Sequence, residues 1–317
     1  MHLGFVVKPL ARPELRSHDS RRWQNGPHLS VSLAHLRDVI GYLVAARIGM
    51  YRMSSDLAPY ATHPDLPQFH RQVDECEREL AEVGRLASEH QLRLSFHPSQ
   101  HVVLSSPDED LVYRSSLDLI VQASILDRMG LGPECVVVTH LGGVYGDISS
   151  ARSRFAWAFE SLPEHARRRL VVENDDTRFG VQDVLWIHER VGVPVVFDNL
   201  HHNLHNPSGL PAPEALSLCL ATWSADVTPK VHFSSPRTEW LVEKDAETPA
   251  VRRARWSYHA DYVHPFEFIA FLRAASGVRP FDVMLEVRAK DIALQQLRTD
   301  LARFAADLSD LLEPPPA

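Results

Sequence analysis

Hydrophobic and polar positions alternate along the chain in two different patterns. Short apolar runs of strand length, such as VVF at 195–197, alternate with longer stretches whose apolar residues recur every three or four positions. Segment 32–49 is of the second kind, and Ser32 and Gly49 are predicted to begin and end its helix. The pattern therefore predicts a regular succession of strands and helices.

The alternation predicts eight strands and eight helices. The predicted strands are 2–7, 50–54, 92–97, 135–141, 169–174, 194–199, 230–234 and 282–287. The predicted helices are 32–49, 68–90, 110–130, 149–166, 181–191, 212–223, 264–276 and 290–308.

Strands that are apolar on both faces and joined by helices favour a parallel sheet covered on both sides. No Gly-rich dinucleotide loop follows the first strand, so eight such units favour an α/β fold of the (β/α)8 TIM barrel type over an open doubly wound sheet. No linker divides the chain. We expect a single domain at 1–310, with long loops after strands one and seven, and a Pro-rich tail at 311–317.

Composition narrows the class of protein. The 317 residues are 44% hydrophobic and 23% charged, as in globular proteins, and no apolar run reaches the 18 or so residues of a membrane span. The N-terminus lacks the pattern of a signal peptide, and the three scattered cysteines (Cys76, Cys135 and Cys219) favour reduced thiols. We therefore expect a soluble cytoplasmic protein. The net charge of −8 weakly disfavours generic nucleic-acid binding, although a metal cluster or a basic patch can reverse the field locally.

Six consecutive predicted strands, the third to the eighth, end in a residue with a metal-binding side chain. These residues are His97, His140, Glu173, Asp198, His232 and Glu286. In a barrel the C-terminal ends of the strands meet at one mouth, where catalysis takes place. Each residue alone has an ordinary explanation, since acids cap helices and a single histidine is more often hydrogen-bonded in the core. Capping does not explain three histidines, and three carboxylates at one mouth repel unless a cation lies between them, so the set suits zinc or manganese.

Three further groups lie near these strand ends. His201 follows Asp198 by three residues, His259 lies in the loop after strand seven, and Lys230 precedes His232 by two residues on the same strand face. One metal site uses three or four protein ligands. The larger set here favours two or three metals that share bridging carboxylates.

With these residues identified, the sequence resembles the UV damage endonuclease family of DNA-repair enzymes, and more distantly the endonuclease IV group of AP endonucleases. The resemblance runs from residue 3 to about residue 290, and its motifs follow one another in order at strand ends or in the loops after them. They are SFHPSQ (95–100), VVTHLGG (137–143), VVENDD (171–176), VVFDNLHHN (195–203), KVHFSS (230–235), HADY (259–262) and MLEVRAK (284–290).

The resemblance implies a hydrolase, an endodeoxyribonuclease that nicks double-stranded DNA 5′ to UV photoproducts or other distorting lesions and leaves a 3′-hydroxyl. It implies two or three divalent ions per chain, manganese first, with zinc or magnesium as alternatives. The implied metal ligands are His97, His140, Glu173, Asp198, His201, His232, His259 and Glu286. Glu173 would bridge two metals, and Lys230 can carry a carbamate in this family. Catalysis would then depend on Glu173, Lys230, His232 and Glu286. We expect a monomer that does not bind membranes.

Two positions depart from the family pattern. The family usually has a Gln–Tyr pair that is pushed into the duplex opposite the lesion, and this chain has Gln100 and His101. An opening Gly–Tyr is Gly4–Phe5 here, which keeps an aromatic ring but loses its hydroxyl. The metal-binding motifs are thus intact, whereas the lesion-probing ones are altered.

Contact with DNA is expected from these positions and from the long loop 235–262. The candidates are Phe5, Gln100, His101, Arg252, Arg253, Arg255, Trp256 and Tyr258. Arginines interleaved with aromatic residues suit phosphate contact and base stacking. A solvated basic turn is the alternative interpretation of residues 252–258.

The main alternative function is a metal-dependent sugar isomerase or epimerase on the same barrel. Such an enzyme would use Glu173, Asp198, His232 and Glu286 and would leave the remaining histidines largely without a role. An AP endonuclease is a second alternative. A non-catalytic barrel that binds only DNA or a partner is a third, and the dense set of ligand-type residues argues against it.

Overall fold

Eight parallel strands form a barrel in the computed structural model, which describes residues 1–243 and 250–312. In the chain, an antiparallel hairpin of two strands, β8 and β9, comes between the seventh barrel strand (β7) and the eighth (β10). In chain order the strands are β1 (Leu3–Val6), β2 (Met50–Arg52), β3 (Arg93–Ser95), β4 (Val137–His140), β5 (Leu170–Glu173), β6 (Val195–Asp198), β7 (Lys230–Phe233), β8 (Trp240–Glu243), β9 (Ala250–Arg253) and β10 (Asp282–Leu285).

The barrel strands pair in the order β3-β2-β1-β10-β7-β6-β5-β4. A bridge between Phe96 and Val137 joins the two ends of this row, with backbone hydrogen bonds of 3.0 Å on both sides of Phe96. The ring is therefore closed, and the predicted (β/α)8 TIM barrel is confirmed.

Helices follow the barrel strands and cover their outer face. They are α1 (Leu29–Ala45), α2 (Gln72–Glu75), α3 (Glu77–Glu89), α4 (Glu109–Arg128), α5 (Ile148–Ser161), α6 (Glu164–Arg169), α7 (Val181–Val191), α8 (Asn199–Leu204), α9 (Ala212–Ala221), α10 (Pro265–Ala274), α11 (Lys290–Phe304) and α12 (Ala306–Ser309). Within the described ranges, none of these helices has the length and apolarity that a membrane crossing requires.

The apolar side chains in and beside β4, β5 and β6 divide between two clusters. The larger cluster lies between the strands and the helices and contains residues such as Val137, Val172 and Val195. The smaller one fills the barrel interior with Val136, Val138, Val171, Val196, Trp223 and Val227. Since side chains alternate between faces along a strand, the residue two positions after an interior valine also points inward. This alternation sets the direction of the strand-end residues.

Helix α1 shows where local sequence signals mislead. It begins at Leu29 rather than Ser32, because the His28 side chain accepts a hydrogen bond from the backbone N of Ser30 and acts as the cap. The Ser32 hydroxyl instead accepts from the backbone N of Asp19 at 2.9 Å, a contact with the loop after β1. The helix ends at Ala45, four residues before Gly49.

Other differences from the predicted elements concern breaks and additions. Three predicted helices are each divided in two, at Cys76, at 162–163 and at Ala305. Helix α8 and the hairpin of β8 and β9 were not predicted, and the latter replaces part of the expected loop 235–262. All three cysteines are free and buried. The domain boundary at residue 310 stays a prediction, and residues 313–317 of the predicted tail lie outside the described residues.

A buried ion pair fixes the end of the barrel where the strands begin. Arg93 Nη1 lies 2.9 Å from Asp282 Oδ2, and both side chains are almost fully buried. The other oxygen of Asp282 accepts from the backbone N of His2 at 2.7 Å, while Arg93 Nε donates to the carbonyl of Glu134. One pair thus ties β3, β10 and the N-terminal segment together.

We expect Arg93→Met to lower the free energy of unfolding by about 3–5 kcal/mol, because Asp282 would remain buried without its partner. Chemical denaturation measures this loss. The control is Arg85→Met, which removes an exposed i,i+4 pair with Glu89 and should cost about 0.5 kcal/mol or less. Equal losses in the two variants would contradict the role of the Arg93 pair.

Candidate metal centre

The strand-end residues predicted from the sequence converge at the opposite end of the barrel. His140, Glu173 and Asp198 each follow an interior valine by two positions and therefore point inward. His232 lies within β7, and its register pairs it with Asp198 on β6 and Met284 on β10. His97 and Glu286 lie just beyond β3 and β10. Barrel geometry thus brings residues from six strands into one group.

Glu173 lies at the centre of this group and is only 1% exposed. Its Oε2 lies 3.1 Å from His97 Nε2 and 3.7 Å from His140 Nε2. Its Oε1 lies 2.8 Å from His232 Nδ1 and 3.6 Å from His201 Nδ1. Each carboxylate oxygen therefore faces two imidazole rings.

Two sets of side chains have ligand atoms that all lie within 4.8 Å of one another. The first set is His97, His140 and Glu173, and the second is Glu173, Asp198, His232 and Glu286. Glu173 belongs to both sets. A carboxylate shared in this way is suited to bridging two cations.

Orphaned polar atoms show that the protein alone does not satisfy this centre. Asp198 Oδ1 accepts from the backbone N of His201 at 2.8 Å, but Asp198 Oδ2 is buried without a hydrogen-bond partner. His97 Nδ1 donates to the carbonyl of Pro98 at 3.0 Å, so in the neutral ring Nε2 is an acceptor, and it faces Glu173. Two acceptors at 3.1 Å need a proton or a cation between them, and the donor set therefore fits a metal ion.

The pKa shifts show how the site balances its charge without a metal. Burial, together with the charges of Glu286 and Asp198, holds the pKa of Glu173 well above its ordinary value. Burial holds the pKa of His97 well below its ordinary value, and the two shifts together favour a neutral carboxyl beside a neutral imidazole. Burial alone would raise the pKa of Glu286, but the Arg52 guanidinium together with His232, His259 and His97 holds that pKa well below its usual range. A divalent ion would replace the proton on Glu173.

His201 and His259 lie outside both sets but are oriented as ligands are. His201 Nδ1 donates to the carbonyl of Asn174 at 2.9 Å, and His259 Nδ1 donates to the carbonyl of Glu286. Their ring centroids are 6.4 Å apart. Metal-binding histidines commonly hold one ring nitrogen in this way and present the other to the ion.

Lys230 lies on the interior face of β7, one layer below His232, and is fully buried. Its Nζ donates to Ser95 Oγ at 2.8 Å. Burial, with the nearby charges of Arg52 and Arg93, holds the pKa of Lys230 well below its ordinary value. The shift favours the neutral amine over the ammonium form.

Sequence analysis missed Arg52, which ends β2 and is 9% exposed. Its Nη2 donates to Glu286 Oε1 and lies 3.1 Å from His232 Nε2. The sequence signal for Arg52 was its position. It is a charged residue at the end of its strand, where the predicted ligands lie on their own strands. Asn174 was also missed; its amide holds the backbone of Asp198 through Nδ2 (3.1 Å) and Oδ1 (2.9 Å).

The predicted DNA-probing residues lie in different environments. Gln100 and His101 are exposed in a turn beyond β3, at the rim of the mouth. Phe5 is fully buried and packs edge-on against Tyr51 at 5.3 Å, between β1 and the helices. The expectation that Phe5 offers a stacking surface to DNA is therefore wrong for this structure, because odd-numbered residues of β1 face the outer apolar cluster.

The loop after β7 carries the remaining predicted DNA contacts, with Arg252 and Arg253 on β9 and with Arg255, Trp256 and Tyr258 after it. A bridge between Pro236 and His259 ties its base to the barrel mouth. The Arg253 guanidinium lies 4.6 Å from the ring centroid of Trp256, which is 47% exposed. Arg252, Arg255 and Tyr258 are also solvent-exposed, and residues 244–249 lie outside the described residues.

Comparisons with known proteins agree with the motifs. The family described as UV-endonuclease UvdE matches residues 23–311. A UV DNA damage endonuclease of Bacillus mycoides (strain KBAB4) is 33% identical over 274 residues, which cover 86% of this chain and 81% of that protein. Another, from Bacillus velezensis (strain DSM 23117 / BGSC 10A6 / LMG 26770 / FZB42), is 34% identical over 290 residues and covers 89% and 85%.

Solved structures give the same picture at the level of the fold. A crystal structure of SacUVDE has a TM-score of 0.79 at 30% identity, covering 96% of this chain and 98% of that one. A D-psicose 3-epimerase from Clostridium cellulolyticum H10 has a TM-score of 0.55 at 12% identity, covering 98% and 99%. The second likeness shows a shared barrel only.

The contact between Arg52 and Glu286 leads to a prediction about metal binding. In metal-free protein, Arg52→Met should lower Tm, because Glu286 loses the cation that compensates its buried charge. Added Mn²⁺ supplies that compensation, so the rise in Tm on metal loading should be larger in this variant than in the parent.

Arg93→Met is the matched control, because it removes a buried arginine at the other end of the barrel. It should lower Tm with and without metal by similar amounts. An equal metal-induced rise in Arg52→Met and Arg93→Met would show that Arg52 does not balance the charge of the centre. Differential scanning calorimetry measures both shifts.

Proposed function

The chain belongs to the UV-endonuclease UvdE family, and from this membership we propose that it is a metal-dependent DNA-repair endonuclease. Its substrate is double-stranded DNA with UV photoproducts or other distorting lesions. It cleaves the backbone 5′ to the lesion, leaves a 3′-hydroxyl and acts as a monomer. The observation that carries the proposal is the buried Glu173, whose two oxygens each face two imidazole rings.

The two ligand sets support places for six of the proposed metal ligands. His97, His140 and Glu173 would hold one ion, and Glu173, Asp198, His232 and Glu286 would hold a second. His201 and His259 present their free ring nitrogens beyond the second set. Two or three divalent ions, manganese first with zinc or magnesium as alternatives, would supply activation of a water molecule and charge compensation for the phosphodiester.

The protein's own residues orient this centre and exclude other nucleophiles. Backbone carbonyls at Pro98, Asn174 and Glu286 fix three of the histidine rings. The buried and free cysteines offer no nucleophile at the mouth, so no covalent protein–DNA intermediate is needed. Glu173, His232 and Glu286 act through the metals they hold.

We propose that Lys230, which lies one layer below His232 in the barrel interior, changes the affinity of the centre for metal ions. Its amine is hydrogen-bonded to Ser95, and its lowered pKa favours the neutral form, which is the form that can add carbon dioxide. A carbamate at Nζ would place an anion beneath the cluster and increase its attraction for cations.

The His97 and His140 set distinguishes the nuclease from the epimerase alternative. Glu173, Asp198, His232 and Glu286 alone would serve a sugar epimerase of the same barrel. That activity gives no role to His97 and His140, although their Nε2 atoms lie 3.1 Å and 3.7 Å from Glu173 Oε2. The structural likeness to the epimerase concerns the fold.

DNA contact is assigned to two parts of the rim. Gln100 and His101 stand beyond β3, where they could fill a gap in the base stack. Arg252, Arg253, Arg255, Trp256 and Tyr258 lie on or near the hairpin, where arginine and aromatic side chains suit phosphate and base contacts.

The central test uses metal-loaded protein with UV-irradiated and intact supercoiled plasmid. The parent should nick the irradiated plasmid, with 3′-hydroxyl ends mapped to the 5′ side of photoproducts, and should hold more than one divalent ion per chain. Glu173→Gln should lose nicking by about 100-fold or more and lose bound metal, because the shared ligand is removed.

Glu160→Gln, which changes an exposed carboxylate on α5, is the control and should keep parental nicking and metal content. Cleavage of plasmid with abasic sites but not of irradiated plasmid would favour the AP endonuclease alternative. Full activity with one ion or none would contradict the cluster, and a trapped covalent adduct would contradict direct hydrolysis.

The proposed wedge gives a second test. A phosphodiester in a straight duplex cannot reach a concave mouth, so nucleotides must leave the stack, at a cost of a few kcal/mol that damage reduces. Gln100→Ala/His101→Ala should weaken cleavage of damaged duplex about 10-fold or more, since stacking contributes roughly 1–3 kcal/mol per base. Bound metal should not change.

His101→Tyr should preserve or improve cleavage of bulky photoproducts, because a phenol offers more stacking area than an imidazole. Parental nicking by the double alanine variant would rule out the wedge. Loss of a metal ion in His101→Tyr would instead show that His101 is a ligand.

A further inference from the structure

A cavity of about 580 Å³ opens beside the metal centre, between the loops that follow β3, β4 and β5. Its inner wall is formed by His97, His140 and His201, and its rim includes Gln100. Among the residues that line it, Tyr145 is the single Phe, Tyr or Trp. None of the roles assigned above uses this tyrosine.

The backbone at Tyr145 is held in a conformation that large side chains avoid. Its φ is +52°, in the left-handed region, and it lies between Gly142 and Gly146, which also have positive φ. A bulky residue with positive φ is uncommon and costs stability. Such residues concentrate at functional sites, where the surrounding structure maintains the strain.

Two neighbours fix the ring of Tyr145. The Arg154 guanidinium lies 5.8 Å from the ring centroid, and its Nε is anchored to the carbonyl of Ser105 at 2.7 Å. Gly143 lies against the ring, since a Cβ at that position would come within 2.7 Å of Tyr145 Cε2. The ring nevertheless stays 49% exposed. A tyrosine that only completed the core would be buried and unstrained.

We propose that Tyr145 is a stacking platform for a nucleobase of the damaged strand that has left the duplex next to the scissile phosphodiester. This inference rests on the proposed nuclease function. The cavity volume falls in the range of small-ligand sites, roughly 300–1,000 Å³, and Gln100 and Arg178 on its rim offer hydrogen-bond donors for base and phosphate oxygens.

Two of the other expected base contacts, at positions 5 and 101, support this role, and Trp256 and Tyr258 do not line this cavity. Phe5 is buried, and position 101 is a histidine. Tyr145 thus supplies a fixed and exposed phenol ring at the mouth, within the same cavity as His97 and His140. Stacking on an aromatic side chain tolerates any base, which suits a site that accepts several lesions.

The test compares Tyr145→Leu and Tyr145→Phe in metal-loaded protein. The Leu variant should bind damaged duplex about 5- to 100-fold more weakly, whereas the Phe variant, which keeps the ring, should bind as the parent does. A 2-aminopurine placed next to the lesion reports stacking directly. Its fluorescence should be quenched on binding to the parent and to Tyr145→Phe, and less so with Tyr145→Leu.

Two further variants separate stacking from a structural role. Gly143→Ala should displace the ring and reproduce the defect while Tyr145 is still present. Tyr145→Asn places a residue that tolerates positive φ, so Tm should stay the same or rise although binding weakens. A structural role predicts the opposite, a lower Tm. Metal content should be parental in every variant.

Tyr113→Leu removes a tyrosine that is 65% exposed on α4 and serves as the control, with parental binding expected. If the parent nicks irradiated DNA while Tyr145→Leu binds and quenches as the parent does, the inference is overturned and the nuclease function stands. If the parent does not nick irradiated DNA at all, the proposed function itself has failed.

Discussion

The burial of three carboxylates at one end of the barrel is the constraint on which the rest of the site depends. Glu173, Asp198 and Glu286 cannot all be ionised in a buried space without positive charge between them. In the protein alone, the raised pKa of Glu173 favours its protonated form, and the guanidinium of Arg52 and a backbone amide at Asp198 compensate part of the remaining charge. One oxygen of Asp198 still lacks a partner, and this donor arrangement suits a cation. The Arg93–Asp282 pair lies at the opposite end of the barrel, where the strands begin. It therefore stabilises the fold without contacting the metal-binding residues.

The barrel could be predicted from the sequence because buried parallel strands are continuous apolar runs. Each predicted barrel strand contains the observed one. Helix boundaries were less accurate where a long-range contact decides them, as at Ser32, whose hydroxyl binds the loop after β1 instead of capping α1. The hairpin of β8 and β9 was missed because its short strands, WLVE and AVRR, pair only with each other among the described residues and carry no long apolar run.

The grouping of the strand-end residues could be predicted because the C-terminal ends of all barrel strands lie at the same mouth. Residues at six strand ends had to meet, whatever the details of the loops between them. Arg52 was missed although it occupies the same position on its strand, since guanidinium is not a metal ligand and only ligand types were sought. Phe5 was misplaced because strand parity was not applied to β1, where Leu3 and Phe5 face the helices and Gly4 lies close to the carbonyl of Met50. The positive φ of Tyr145 depends on the surrounding tertiary structure. In the sequence, the nearby glycines were the one indication of an unusual backbone.

The two histidines that we propose distinguish a nuclease from an epimerase on this barrel, His97 and His140, lie at one seam. β3 and β4 meet through the bridge at Phe96 rather than through a full ladder, and both His97 and His140 stand at that junction. The loops that leave these strands carry Gln100, His101 and Tyr145. Because a single bridge joins β3 and β4, the loops after these strands can change in sequence with little effect on the rest of the barrel. The second ligand set lies on β5, β6, β7 and β10, which are paired strand to strand. Lesion preference can therefore change through the seam loops while the bridging carboxylate stays in place.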